Sequence, residues 1–204
     1  MERLHERDAL LFDLGEIPHL APRKLLRLTH VFVSHCHMDH FAGFDRLLRV
    51  LTGRQRTVRL FGPPGFTERV GHKLAGYTWN LAAHFSNELT FLVTEVPEHG
   101  PGQRARFRVT TGFAREPLPP AAHPGGRVVE AAGFRVDAAT LDHRIPCLAF
   151  ALSEPEHLNI WKDRLEARGL TTGDWLHGFK QAVRAGYPAD HPVPVAWRRP
   201  GPDQ

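Results

Sequence analysis

The chain has 204 residues, 42% of them hydrophobic, which is enough apolar material for one sizeable core. Its longest apolar runs, among them Val31 to Val33 and Cys147 to Leu152, fall far short of the roughly 20 residues of a membrane-spanning helix. The segment Met1 to Asp8 is charged where a signal peptide would be apolar, so a soluble cytoplasmic protein with no membrane partner is expected. The formal net charge is +4, carried almost entirely by arginine, since lysine occurs only at Lys24, Lys73, Lys162 and Lys180. The planar guanidinium fork suits phosphate oxygens, but an arginine-rich composition does not by itself establish a polyanionic substrate.

In chain order, Ala9 to Asp13 reads as a buried strand that delivers Asp13 and Gly15 to a turn, and His30 to Ser34 as a second strand. Asp39 to Val50 reads as one helix, with Phe41, Phe44, Leu47, Leu48 and Leu51 on an apolar stripe. Val58 to Phe61 is a third strand, closed by Gly62-Pro63-Pro64-Gly65, and Phe66 to Tyr77 a second helix. Leu89 to Val96 and Arg104 to Thr110 read as strands, while Glu116 to Gly126 reads as a proline- and glycine-rich loop. Val128 to Leu152 is β again, His157 to Arg168 a helix stopped by Gly169, and the tail from Pro188 a loop. Strand, loop and helix alternate as in an α/β protein, with polar residues gathered where strands end.

The chemistry lies in His35, His37, Asp39 and His40, four candidate ligands in six positions after a buried strand. In extended backbone His35 and His37 point the same way and reach one metal, while Cys36 and Met38 face elsewhere. Where the chain turns into the helix, Asp39 and His40 can swing toward a neighbouring metal. Imidazole with carboxylate is the ligand mix of catalytic zinc. Two cysteines, Cys36 and Cys147, form no CxxC pair and read as reduced and incidental. Asp13 is either a brace for the ligand loop or an ordinary turn aspartate. His143, alone before a strand, reads by itself as a structural residue at least as readily as a ligand.

The segment His35-Cys36-His37-Met38-Asp39-His40-Phe41-Ala42-Gly43 resembles the His-x-His-x-Asp-His-x-x-Gly signature of the metallo-β-lactamase superfamily, and Asp13-Leu14-Gly15 its upstream Asp-x-Gly element. Within it, Leu141 to Phe150 resembles the segment of ribonuclease Z, the tRNA 3′-end processing endonuclease, that carries the third histidine of the first zinc. Asn159 to Lys162, Gly169 to Gly173 and Phe179-Lys180 are similar to the start of that family's substrate-binding arm, here residues 153–187. The resemblance implies an α/β fold, part of a metallo-β-lactamase αββα sandwich, over residues 1–204 as one domain expected to be incomplete at both ends. It implies that His35, His37 and His143 hold one zinc and Asp39 and His40 a second, with Asp39 also orienting the attacking water and Asp13 bracing the loop. Arg164, Arg168, Lys180 and Arg184 become candidates for phosphate contacts, with a solvated helical face as the competing reading.

The sequence departs from that family in places. No aspartate after a buried strand bridges two metals, and no final histidine completes the second site. Asp174 lies in the arm region, Asp190-His191 in a proline-rich loop, and Gly173-Asp174 stands where the arm has Gly-Pro. Residues 97–127 are an insertion without an assigned role. Two zinc ions are therefore expected in a complete relative, and one, or weak binding, in this chain. Three functions compete: phosphodiester cleavage of RNA at a tRNA precursor's 3′ end, hydrolysis of a small ester or phosphodiester on the same fold, and an inactive truncated remnant. A homodimer is a further expectation.

Overall fold

The structure is a computed structural model that describes residues 9–131, 133–154 and 158–195. The chain divides into two compact units, Met1–Ser153 and Glu154–Gln204.

The first unit is built on a six-stranded sheet in strict sequence order. Strands β1 (Ala9–Phe12), β2 (Leu28–Phe32), β3 (Arg56–Gly62) and β4 (Leu89–Glu95) run parallel, and β5 (Gly102–Arg108) and β6 (Arg115–Ala121) complete it as an antiparallel hairpin. Helices α1 (Pro22–Leu25), α2 (Met38–Phe41), α3 (Phe44–Leu51) and α4 (Phe66–Ala75) belong to the crossovers. Alternation sorts each strand. Val58 and Leu60 of β3, Phe91 and Val93 of β4, and Ala105 and Phe107 of β5 face a core filled by Phe44, Leu47, Leu48 and Leu51 of α3 and Phe66, Val70 and Leu74 of α4.

The opposite face carries Leu10, Phe32 and Phe61. It packs on a three-stranded antiparallel sheet, β7 (Arg127–Ala131), β8 (Phe134–Asp142) and β9 (Pro146–Ser153), through Phe134, Val136 and Leu148. Helices, sheet and sheet form three successive layers, the α, β and β of the expected αββα sandwich. Because β4 is covered on both sides, it is buried almost throughout.

Four readings of the sequence need correction. The helix expected over Asp39 to Val50 is two helices: the Gly43 N–H bonds the Leu14 carbonyl at 2.8 Å, so it is withdrawn from the α-helical ladder. The expected loop from Glu116 contains β6, with Pro117, Pro119 and Pro120 inside a strand. Proline is tolerated there because β6 is the last strand of the sheet and has no partner on its outer side. The helix expected over His157 to Arg168 is confined to α5 (Lys162–Glu166), and His157 lies outside the described residues. Helix α6 (Trp175–Arg184) did not stand out in the sequence.

The second unit contains α5 and α6, neither of which has a fully buried side chain. Trp175 and Phe179 touch one turn apart on α6, and the Arg164 guanidinium lies 4.4 Å from the Trp161 ring centre. Among the described residues no helix is long and apolar enough to cross a membrane.

Candidate metal centre

The parallel strands deliver their loops to one end of the sheet, and two of these, after β1 and β2, meet the β8–β9 hairpin there. At the end of β1, Asp13 adopts φ 57°, a left-handed conformation that aspartate tolerates better than most residues. Its Oδ1 accepts the Ser34 N–H at 2.7 Å and its Oδ2 lies 2.8 Å from His40 Nδ1. The turn that follows is stitched to α2: the Leu14 N–H bonds the His40 carbonyl, and the Gly43 N–H bonds the Leu14 carbonyl. These bonds bring backbones so close that a Cβ on Gly15 would stand 1.9 Å from the Asp39 carbonyl oxygen, and one on Gly43 2.2 Å from the Gly15 carbonyl oxygen. Only glycine fits at either position.

After β2 the chain bends at Ser34 and passes through His35 and Cys36 to His37, whose own backbone is extended (φ −64°, ψ 156°) where it enters α2. His35 is 5% exposed, and its Nε2 lies 3.1 Å from His37 Nδ1. Across the gap between the sheets the Leu148 N–H bonds the Ser34 carbonyl at 2.9 Å, pinning β9 to the histidine loop. The hairpin joining β8 to β9 therefore ends over His35. His143 sits at its tip, beside Arg144 in the left-handed conformation that a short hairpin loop needs. One nitrogen from each of His35, His37 and His143 lies within 4.8 Å of the other two.

That donor set fits zinc. Three nitrogens each about 2.0–2.1 Å from one tetrahedral zinc stand roughly 3.3 Å apart, so the 3.1 Å pair is already at ligand spacing, with a His143 nitrogen close by. A ligating imidazole must give up its proton there. Burial first, then the neighbouring His40, His37 and His143 rings, lower the His35 pKa from its ordinary value against an opposing effect of Asp13, so His35 is neutral at pH 7.

Asp39 and His40 stand beside this triad. His40 Nε2 is 3.3 Å from Asp39 Oδ2, while the other ring nitrogen faces Asp13, and the His40 ring centre lies 4.1 Å from that of His35. Cys36 packs with the helix-side core, and burial pushes its thiol up to about 11, which keeps it protonated and a poor metal ligand. Two neighbours were missed in the sequence. Ser34 Oγ lies 3.0 Å from His35 Nδ1, and Cys147 Sγ lies 3.9 Å from the same nitrogen. Ser34 is the residue that joins the strand to the motif, which was the one available signal; nothing local marks Cys147.

Of the other candidates, Arg164 and Lys180 lie on α5 and α6, Arg168 just beyond α5, and Arg184 at the end of α6, all in the second unit. Asp174 precedes α6, and Asp190 and His191 follow it, with the His191 ring stacked on Tyr187. A small cavity of about 170 Å³ adjoins the triad, lined by Cys36, His37, Pro63, Pro64, Arg69 and Ile145 among others.

The sequence profile of the metallo-beta-lactamase superfamily matches residues 4–129, and the chain belongs to that superfamily. Within it the chain is similar to the ribonuclease Z of Deinococcus radiodurans, 36% identical over 180 residues that make up 84% of this chain and 52% of that protein. The ribonuclease Z of Halalkalibacterium halodurans is 26% identical, over 87% of this chain and 50% of its own length. Human tRNase Z, short form, superposes with a TM-score of 0.49 at 21% identity, over 75% of this chain and 56% of that one. The chain thus spans about half the length of the curated relatives it matches.

Proposed function

We propose that this chain carries the metal-binding half-site of a zinc-dependent hydrolase that cleaves phosphodiester bonds in RNA, acting at the 3′ end of a tRNA precursor. The observation that carries this reading is the convergence of His35, His37 and His143, from two separate sheets, on a point at the strand ends. The similarity to ribonuclease Z over 84% of the chain supports the choice of RNA.

His35, His37 and His143 would hold the first zinc, and Asp39 and His40 a second. Zinc held by these residues would supply a hydroxide nucleophile near neutral pH and offset the charge that develops on phosphate. The Asp39 carboxylate, 78% exposed and in reach of His40, would orient the attacking water by accepting a hydrogen bond from it. Asp13 is the positioning residue: its two oxygens hold the strand end and the His40 ring in fixed relation. Arg164, Arg168, Lys180 and Arg184 would contact substrate phosphates, with the Arg164–Trp161 pair offering a flat cationic surface.

A second reading, hydrolysis of a small ester or phosphodiester, is favoured by Asp174 standing where the arm of ribonuclease Z has proline, and by the small size of the cavity beside the triad. One assay separates the two. The zinc-loaded chain is given a tRNA precursor with a 3′ trailer and, separately, bis(p-nitrophenyl) phosphate, each beside a His37→Ala control. Trailer removal at the mature end that His37→Ala abolishes supports the RNA reading; turnover of the small ester alone supports the other.

A further inference from the structure

A second concavity lies between the two sheets, and none of the residues lining it belongs to the metal centre. It has a volume of about 520 Å³, within the range of small-molecule sites. Strand β8 separates the two regions: His143 follows its last residue, whereas the strand β7 that walls this cavity pairs with its beginning. The 97–127 insertion, which the metal centre does not use, supplies the other wall through β5 and the end of β6.

The lining divides by chemistry. Phe61, Leu92, Val128 and Val129 make apolar walls, and the His30 ring lies parallel to Phe61 at 7° with centres 6.3 Å apart. Arg59 and Arg104 supply the charge. The register puts them on the same face of the sheet as Phe61 and Leu92, offset by two strands and two residues, about 12 Å, a span that two arginine side chains can close.

Neither of these two has a carboxylate partner among the described residues, and they are the arginines that line the cavity; Arg115, whose side chain bonds Gln103, also lacks one but lies on the other face of the sheet. Arg106 and Arg108 share Glu116, and Arg127 holds both Asp137 and Glu130. The Arg104 side chain makes a single long bond to the Pro119 carbonyl at 3.4 Å, and the Arg59 side chain has no hydrogen bond or ion pair among the described residues. Glu130, the one acidic residue lining the cavity, is therefore already matched by Arg127. Two unmatched guanidinium groups bordering an apolar recess form a complement for a doubly charged oxyanion on an apolar body. A phosphomonoester carries about −1.5 to −2 at neutral pH, which balances both arginines where a single carboxylate would balance one.

The recess is also preformed. The ring nitrogens of His123 lie 3.2 Å from the Glu95 carbonyl oxygen and 3.1 Å from that of Arg127, fixing the segment that follows β6 to β4 on one side and β7 on the other. We propose that this cavity binds a phosphomonoester bearing an aromatic or apolar body, the phosphate held between Arg59 and Arg104 and the body laid against Phe61, Leu92 and Val129.

This proposal is independent of the hydrolase reading, and its test avoids the metal. Calorimetric titration of the full chain in chelator uses adenosine 5′-monophosphate and phenyl phosphate as probes, with adenosine and inorganic phosphate as the half-ligands. At least one monoester should bind saturably at one site per chain, and its own half-ligands at least tenfold more weakly. Arg59→Ala and Arg104→Ala should each weaken it at least tenfold, while Arg115→Ala, on the other face of the sheet, and His37→Ala should leave it unchanged. Both cavity variants remove side chains with little or no bonding in the fold, and equal melting temperatures will show that they fold. The proposal is overturned if neither monoester binds, if binding survives both cavity variants, or if it disappears in His37→Ala, which would move it to the metal centre.

Discussion

Asp13, Gly15 and Gly43 determine whether the histidines meet, although none of them is expected to touch metal. A methyl on Gly15 would sit 1.9 Å from the Asp39 carbonyl oxygen, a contact with backbone that no rotamer relieves. Gly15→Ala is therefore expected to cost about 3 kcal/mol or more in chemical denaturation and to weaken metal binding with it. Gly53, whose added Cβ would meet nothing, is the opposite case on sterics alone; its φ of 80° is the only obstacle to replacing it. At Asp13, replacement by alanine leaves the Ser34 N–H without its acceptor and frees the His40 ring. The expected result is a loss of about 1–3 kcal/mol in stability and a 10- to 100-fold loss of metal affinity, read by denaturation and by competition with a chromogenic chelator. Unchanged metal affinity in Asp13→Ala would show that the loop holds its shape without the brace.

Among the elements, the aromatic layer between the sheets does the most to hold the hairpin bearing His143 over the loop bearing His35. Phe32 is fully buried, stacks with Phe12 and Phe61, and meets Phe150 of β9. Phe32→Ala should cost about 3–5 kcal/mol, and an equal cost at the partly exposed Phe179 of α6 would argue against the layer. The second sheet is also tied by charge. Arg127 holds the Asp137 carboxyl below its ordinary range, chiefly through their hydrogen bond. A carboxylate with a depressed pKa contributes stability that is present above its unfolded value and lost as the pH falls through the folded one. Asp137→Asn should therefore lower the urea midpoint at pH 7, and the difference from the parent should vanish below the ordinary carboxylate range.

The elements that could be read in the sequence were those whose signal is local. The alternation in β3, the stripe on α3 and the strand before His35 follow from which faces must be buried. Strand β6 was hidden because prolines argue against a strand unless it lies at an edge, and its place at the edge depends on the whole sheet. The break at Gly43 was hidden because the carbonyl that captures its N–H belongs to Leu14, 29 positions earlier. The same reason kept His143 from standing out without a family resemblance: only the pairing of β8 with β9, and of β9 with Ser34, carries it to His35. By contrast His35 and His37 needed nothing beyond the alternation of extended backbone.

On the scale of the whole molecule, the two units divide the proposed function between them: the first carries the proposed metal ligands, the second all four basic residues proposed to meet RNA. If Arg164, Arg168, Lys180 and Arg184 each contact one phosphate, glutamine at any one of them should weaken RNA binding without sequence preference. Each should also reduce the slope of log affinity against log salt by about 1. A slope that stays constant across all four variants would make that helical face merely solvated.

The central claim is that His35, His37 and His143 form one metal site, and zinc titration of the full chain beside His143→Ala tests it most directly. The parent should hold one zinc tightly enough to compete with a chromogenic chelator. Removing the imidazole supplied by the second sheet should weaken that zinc by two orders of magnitude or more while the melting temperature of the metal-free chain stays unchanged. Zinc held as tightly by His143→Ala as by the parent would contradict the account.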